Sequence, residues 1–467
     1  MKNFLAFIFL VFFSNILSGQ FDFANTIYLY GTMPNNVGEN DLNIAYGNWK
    51  EDFLESCSEG RLRVKFDDPA FTVSEGIAYG LLLSAYANDQ GVFDSLWAYY
   101  EYFMNDNGVM NWKIEGCDDI VGFNGATDAE LDATVALMVA ELRWGNDGNV
   151  DYGSEADSLI TAIQEYEVED GTYVLKPGDA WGGANTTNPS YFATGYFRAY
   201  GDYTGNNDFW NNVADTSYAV IDNNLTVNEA VYNLVSDWCS ADGSYSAEVS
   251  GWAYDQGRSY YYDAARTPWR IAVDYLWYGN SDALAYTNKC DSFVMEQGGI
   301  SQVYPGYHQD GTAINTGYKD VVFTGAFAVA SMASGDQTTI NQGYTQVKSM
   351  VSSAYFGATL RVLYMFIMTG NGFNPTQEDV LSDNSFSEFS PSVIIYPNPA
   401  SDNITIEITE GINNGLLQII DMEGKIIDTF HIKRSVTQIP VGNLSKGVYC
   451  LVYSKRNGTY TEKIIIE

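Results

Sequence analysis

Histidine is nearly absent: among 467 residues there are two, His308 and His431. Serine- and cysteine-type triads need a histidine as base, and an imidazole-ligated metal site needs several, so both classes lack material. His308 falls in a Tyr/Gly/Asp loop, where hydrogen bonding to substrate or backbone would serve it equally well. The five cysteines (Cys57, Cys117, Cys239, Cys290, Cys450) show no CxxC spacing, which argues against zinc. One or two disulfides stay open, with their pairing unassigned. Basic residues are scarce as well, 23 against 59 acidic, for a formal charge of −36. Nucleic acid and anionic membranes are poor partners for such a surface, whereas a neutral polysaccharide is indifferent to it. Beyond residue 20 no run approaches the roughly 18 apolar residues of a spanning helix. Carboxylates and tyrosines are left to carry the chemistry, and neither metal nor cofactor is expected.

What is present divides the chain. Residues 1–20 combine Lys2, an apolar stretch from Phe4 to Phe13 and small residues at Ser18 and Gly19, the make-up of a secretory signal peptide. From Asp41 onward helical segments alternate with Gly/Asn/Asp-rich loops; Asp41–Cys57, Gly76–Asn88, Ala129–Trp144 and Val321–Ala333 are examples. About a dozen such segments without a series of alternating strands predict an all-α (α/α)6 toroid of helical hairpins over residues 21–375. Periodicity stops between Asn371 and Pro391, a stretch rich in Asn, Asp, Ser and Pro, and a linker is placed at 376–391. Residues 392–467 read as a small β-sandwich, with strands at 403–409, 416–421, 425–430, 448–454 and 461–466. From Pro391 on there are seven Lys/Arg and eight Asp/Glu, so nearly all of the −36 falls on the remainder.

Three carboxylates stand at predicted helix starts. Glu75 lies in Thr72-Val-Ser-Glu-Gly-Ile-Ala-Tyr-Gly80, with Thr72 or Ser74 as the expected cap. Asp128 lies in Asn124-Gly-Ala-Thr-Asp-Ala-Glu-Leu-Asp132, where Thr127 and Glu130 have capping-box spacing. Asp263 lies just ahead of the start marked by Thr267-Pro268. An acid in a first turn also simply complements the helix dipole, so no one of the three is diagnostic. In a barrel of hairpins, however, such ends gather on one face.

These stretches, together with Trp181-Gly, Asn188-Pro-Ser-Tyr191 and Tyr262-Asp-Ala-Ala-Arg-Thr-Pro-Trp-Arg270, resemble glycoside hydrolase family 8 in order and rough spacing over residues 22–375. The resemblance implies the same toroid and an inverting endo-β-1,4-glycanase. Glu75 would be the general acid, Asp263 the general base and Asp128 a third carboxylate holding the sugar at the cleavage point. An inverting pair should stand about 6.5–9.5 Å apart. The dipole of a helix start lowers an acid's pKa, whereas a general acid needs a raised one; burial and the Asp128 charge push the other way, with like-charge repulsion expected to win. Trp112 and Trp181, in Gly/Asn-rich loops, are expected to stack on sugar, with Tyr191 and Tyr262 flanking the cleavage point. Arg266 would orient Asp263 and belongs with the substrate-binding set. Trp269, Tyr275 and Trp277 lie in an apolar helix and are assigned to the core. Ile77-Ala78 departs from the family's more polar, glycine-rich form, which bears on substrate preference.

The segment from Ala126 to Leu131 looks more like β-glucan-cleaving members than xylan-cleaving ones, and the motif around Asp263 disfavours chitosan. Two other classes are weighed: a non-catalytic glycan-binding protein, which should have lost an acid, and a polysaccharide lyase, whose acidic substrates the −36 opposes. In the tail, Val393-Ile-Ile-Tyr-Pro-Asn-Pro-Ala400, Gly447-Val-Tyr449 and the closing Lys-Ile-Ile-Ile resemble the sorting domain of the type IX secretion system. That implies secretion machinery as a partner; a carbohydrate-binding sandwich is the alternative, weakened by the lack of tryptophan there. The expected product is a monomer, secreted or held at the cell surface.

Overall fold

The computed structural model describes residues 21–251, 257–377, 381, 393–408, 415–421, 426–432, 434, 436–455 and 458–467. Residues 1–20, and almost all of the 376–391 linker, lie outside the described residues.

Twelve helices build the first part: α1 (Asp41–Phe53), α2 (Ser74–Tyr86), α3 (Gln90–Tyr102), α4 (Thr127–Trp144), α5 (Tyr152–Ala162), α6 (Thr194–Thr204), α7 (Asn207–Val227), α8 (Thr267–Tyr278), α9 (Ser281–Glu296), α10 (Val321–Ser334), α11 (Gln337–Ser349) and α12 (Tyr355–Met368). The even-numbered helices form an inner ring and the odd-numbered ones an outer ring, an (α/α)6 barrel. Composition sorts them. All of α2 except Glu75 is buried, and all of α10 except Ser334, because an inner helix is walled on every side. By contrast α11 buries only Ile340, Gly343, Tyr344 and Val347, a single i, i+3, i+4, i+7 stripe. Tyr200 of α6 donates to the Leu131 carbonyl of α4 at 2.7 Å, closing the ring between them. Glycine sets the closest approaches: a β-carbon on Gly325 of α10 would come within 2.1 Å of the Tyr364 ring of α12.

Links from an inner helix to the next outer one are short. Two begin on left-handed glycines, Gly205 and Gly279, and Asn280 and Asp336 cap the helices that follow. Links from outer to inner are mostly long, and they converge on the face where every inner helix begins. Two small antiparallel sheets form there. One pairs β1 (Leu54–Ser56) with β2 (Leu62–Val64); the other runs β3 (Phe71–Val73), β4 (Lys113–Glu115), β5 (Asp119–Gly122) in that order. A disulfide, Cys57–Cys117, staples the two. Cys239, Cys290 and Cys450 are free.

Some local expectations fail. α1 stops at Phe53 because Leu54–Ser56 is taken into β1. Neither Thr72 nor Ser74 caps α2: the Thr72 hydroxyl donates to the Val64 carbonyl, and Val73 holds the cap position. Thr127 and Glu130 form no capping box, for Thr127 is already helical and Glu130 accepts from Tyr100 instead. Asn371, read as the onset of linker composition, is buried and exchanges two hydrogen bonds with Asn25.

The tail holds β6 (Val393–Tyr396), β7 (Asn403–Ile408), β8 (Gly415–Ile420), β9 (Ile426–Ile432), β10 (Val436–Pro440), β11 (Gly447–Lys455) and β12 (Gly458–Ile466). They make two antiparallel sheets, β10-β7-β6 and β12-β11-β8-β9. Alternate residues such as Ile404, Ile406, Leu417, Ile419, Leu451 and Ile464 form a separate core.

Candidate active site

All six inner helices bring polar side chains to the same end of the barrel. Glu75 and Asp128 occupy the second positions of α2 and α4. Tyr191 closes a one-turn helix, Pro189–Tyr191, ahead of α6. Asp263 precedes another, Ala264–Arg266, which runs into α8 with Pro268 in its first turn. Asp320 caps α10 through the Val322 amide, and Tyr355 opens α12.

Arg266 joins them. Its Nη1 lies 2.7 Å from Glu75 Oε2 and 2.6 Å from Asp128 Oδ2, and its Nη2 lies 3.0 Å from Asp263 Oδ1. One guanidinium thus serves three carboxylates from three helix starts. The Tyr191 ring flanks it at 5.2 Å. Grouped by the sequence with substrate-binding side chains, Arg266 is instead enclosed, 1% exposed, and lies behind the carboxylates. Glu75 and Asp263 keep 17% and 36% of their side chains open, whereas Asp128 keeps 4%. Two acids therefore face the cleft and the third backs them.

Burial pushes the Glu75 carboxyl up to about 7. The Arg266 charge is the chief opposing force, the charges of Asp128 and Asp263 add to the rise, and the Tyr355 hydroxyl, donating to Oε1 at 2.8 Å, opposes it. Desolvation thus outweighs the Asp128 repulsion on which the sequence argument leaned. Asp263 is likewise raised, first by burial, with Arg266 and the Trp238 indole among the opposing contacts. Trp238 Nε1 donates to Asp263 Oδ2 at 3.0 Å. Beneath, Asp237 Oδ1 accepts from the Tyr261 and Ala264 amides, both at 2.8 Å, and so fixes the turn that carries Asp263.

A cleft of about 450 Å³ opens above these groups, lined by Phe66, Glu75, Tyr262, Asp263, Asp320 and Phe356 among others. Tyr262 stands on its wall, with its hydroxyl bonded to Asp320 at 2.9 Å. Trp181 is 40% exposed and stacks on Trp238. Trp112 is 43% exposed and lies across Gly122; its carbonyl accepts from the Ser74 amide, one residue from Glu75. Trp269 and Trp277 are core. Among the described residues no group of His, Cys, Asp and Glu converges as a metal ion would need.

Residues 23–370 match the model of the glycosyl hydrolases family 8. The chain belongs to that family. Residues 394–467 match the secretion system C-terminal sorting domain, which marks the protein for export. Among family 8 relatives, Endoglucanase C of Ruminiclostridium cellulolyticum is 38% identical over 344 residues, 72% of this chain and 72% of that one. Endoglucanase A of Acetivibrio thermocellus is 37% identical over 384 residues, 79% of this chain and 77% of that one. Among solved structures, the β-1,3-1,4-glucanase of Paenibacillus sp.X4 aligns with a TM-score of 0.66 at 28% identity, covering 74% of this chain and 97% of that one. A cold-adapted family 8 xylanase aligns at 0.64 and 20% identity, over 76% and 99%, a likeness of fold. The family 8 chain is thus a glycoside hydrolase, acting on polysaccharide. Tyr355, Trp238, Asp237 and Asp320 are the site residues that sequence reasoning missed.

Proposed function

We propose that this family 8 chain is a secreted, inverting endo-β-1,4-glucanase acting on cellulose-like or mixed-linkage β-glucan. Glu75, protonated up to about pH 7, gives its proton to the leaving glycosidic oxygen. Asp263 takes a proton from a water that attacks the anomeric carbon from the opposite face. One bond to carbon breaks as another forms, and the two carboxyl groups exchange charge states. Asp128, enclosed behind the two, shares the Arg266 guanidinium with Glu75 and so holds the acid in place rather than touching the sugar. Trp112, Trp181, Tyr191 and Tyr262 position the glucan. Residues 1–20 act as signal peptide and 376–391 as linker.

The observation that carries this reading is that Glu75 and Asp263 are both held by one guanidinium at the open end of the barrel. Glucan is favoured over xylan because the relatives at 37–38% identity are named endoglucanases. The test is reducing-end release from carboxymethylcellulose, mixed-linkage β-glucan, xylan and chitosan, by wild type and Glu75→Gln. The β-glucans should be cleaved best, and the variant should lose about 10²–10⁴-fold. Equal rates in both proteins would remove Glu75 from the mechanism, and preference for xylan would move the substrate. Proton NMR of fresh product checks inversion: the α-anomer should appear first.

A further inference from the structure

Trp238 is 6% exposed in the long α7–α8 link, and its backbone is tied on both sides. The Trp238 amide donates to the Gly257 carbonyl at 3.1 Å, and the next residue, Cys239, exchanges two amide–carbonyl bonds with Thr187. Among the described residues the indole makes two contacts that matter. Nε1 donates to Asp263 Oδ2 at 3.0 Å, while the ring stacks on Trp181 with centroids 5.6 Å apart and planes at 30°. Trp181 presents its other surface outward, at 40% exposure.

We propose that Trp238 is a positioning residue that aims Asp263 and links it mechanically to a sugar ring held on Trp181. This rests on reading Asp263 as the base. With Arg266 on Oδ1 and the indole on Oδ2, both oxygens are fixed, so the direction of the lone pair left for water is fixed too. An indole N–H donates and never accepts, and a carboxylate oxygen accepts more strongly than a protonated carboxyl does, so the contact is stronger while Asp263 is ionised. It therefore selects the ionised carboxylate, the form a base must have. Because Trp238 is the floor of the Trp181 platform, a sugar pressing on Trp181 bears on the ring that orients Asp263. A purely structural tryptophan would need neither the bond nor the stack.

Trp238→Phe keeps the ring and removes the donor. In the full chain acting on soluble mixed-linkage β-glucan, kcat should fall about 10–100-fold, as the loss of a hydrogen bond to a charged group implies, with KM within about twofold. The acid limb of kcat/KM should move to higher pH, since a carboxylate stripped of a donor holds its proton more tightly. Trp238→His, which retains a donating N–H, should restore the acid limb toward wild type and covers the case in which the Phe variant does not fold. Trp181→Ala combined with Trp238→Phe should cost less than the product of the single effects, because Trp181 acts on Asp263 through the Trp238 donor, which Trp238→Phe has already removed. An unshifted acid limb with unchanged kcat in Trp238→Phe overturns the proposal, and simple multiplication in the double variant overturns the link to Trp181. Asp263→Asn separates the two levels. If it stays active, the base reading itself fails; if it is dead while Trp238→Phe is normal, only the role of Trp238 falls.

Discussion

At the residue scale the site turns on Arg266. Replacing it with Met leaves three inward-facing carboxylates without their cation, a loss of about 3–5 kcal/mol for each buried pair broken. Urea unfolding should report it. Arg266→Lys keeps the charge but has no fork to span Nη1 and Nη2 positions, so kcat/KM should still fall by about 10²-fold or more with stability partly kept. Asp128→Asn tests the electrostatics. Asp128 helps hold Glu75 protonated, so removing its charge lowers the Glu75 pKa from about 7. An acid works only below its pKa, and the alkaline limb of kcat/KM should therefore move to lower pH. The gathering of the three acids was legible because each sits at or just ahead of a recognisable helix start, Asp263 before Thr267-Pro268. Tyr355 was not: it bonds Glu75 across 280 residues, and a tyrosine at a helix start carries no local mark of its partner. Asp237 and Trp238 are hidden for the same reason, since what defines them is a contact made by loop closure.

At the element scale the helices were legible and the strands of the barrel domain were not. Apolar periodicity over ten or more residues is a strong signal, and the twelve helices fall close to their expected bounds. Strands of three or four residues such as β1 to β5 are too short to alternate visibly. They exist because the long links need to pair their backbones where they cross the barrel mouth. In the tail, β6 and β10 were missed and the other five strands were found. The Cys57–Cys117 bridge closes 60 residues between two of these small sheets. Cys57→Ser with Cys117→Ser should cost about 2–4 kcal/mol in denaturant unfolding. It should also raise KM for long glucans more than it lowers kcat, because β4 directly follows Trp112. Gly325→Ala forces a β-carbon into the Tyr364 ring and should lower stability by about 1–3 kcal/mol, with the pH profile of activity unchanged.

At the scale of the whole molecule the acidic chain sets its own pH range. Glu130 and Glu167 are fully buried near Asp128 and Asp179, and burial raises both, Glu130 to about 8. A folded carboxyl with a raised pKa binds its proton more tightly than the unfolded one. Its stabilising effect is complete below the unfolded value of 4.5, is lost as pH climbs through the folded value of about 8, and changes no further beyond it. The melting temperature should accordingly be higher at pH 5 than at pH 8, and Glu130→Gln should reduce that difference, as calorimetry at the two pH values can check.

The cysteines give the molecule a way of reporting its own condition. Cys239 and Cys290 are sealed in the barrel, where burial pushes both thiols up, and Cys450 in the tail is half-buried. A thiol-reactive tag read by intact mass should count one adduct on the native full-length chain, three once it is unfolded and five when it is also reduced. A native sample that takes up none has lost its tail. The same spectrum therefore reads folding, oxidation and processing as three separate whole-number steps, with no label engineered into the protein.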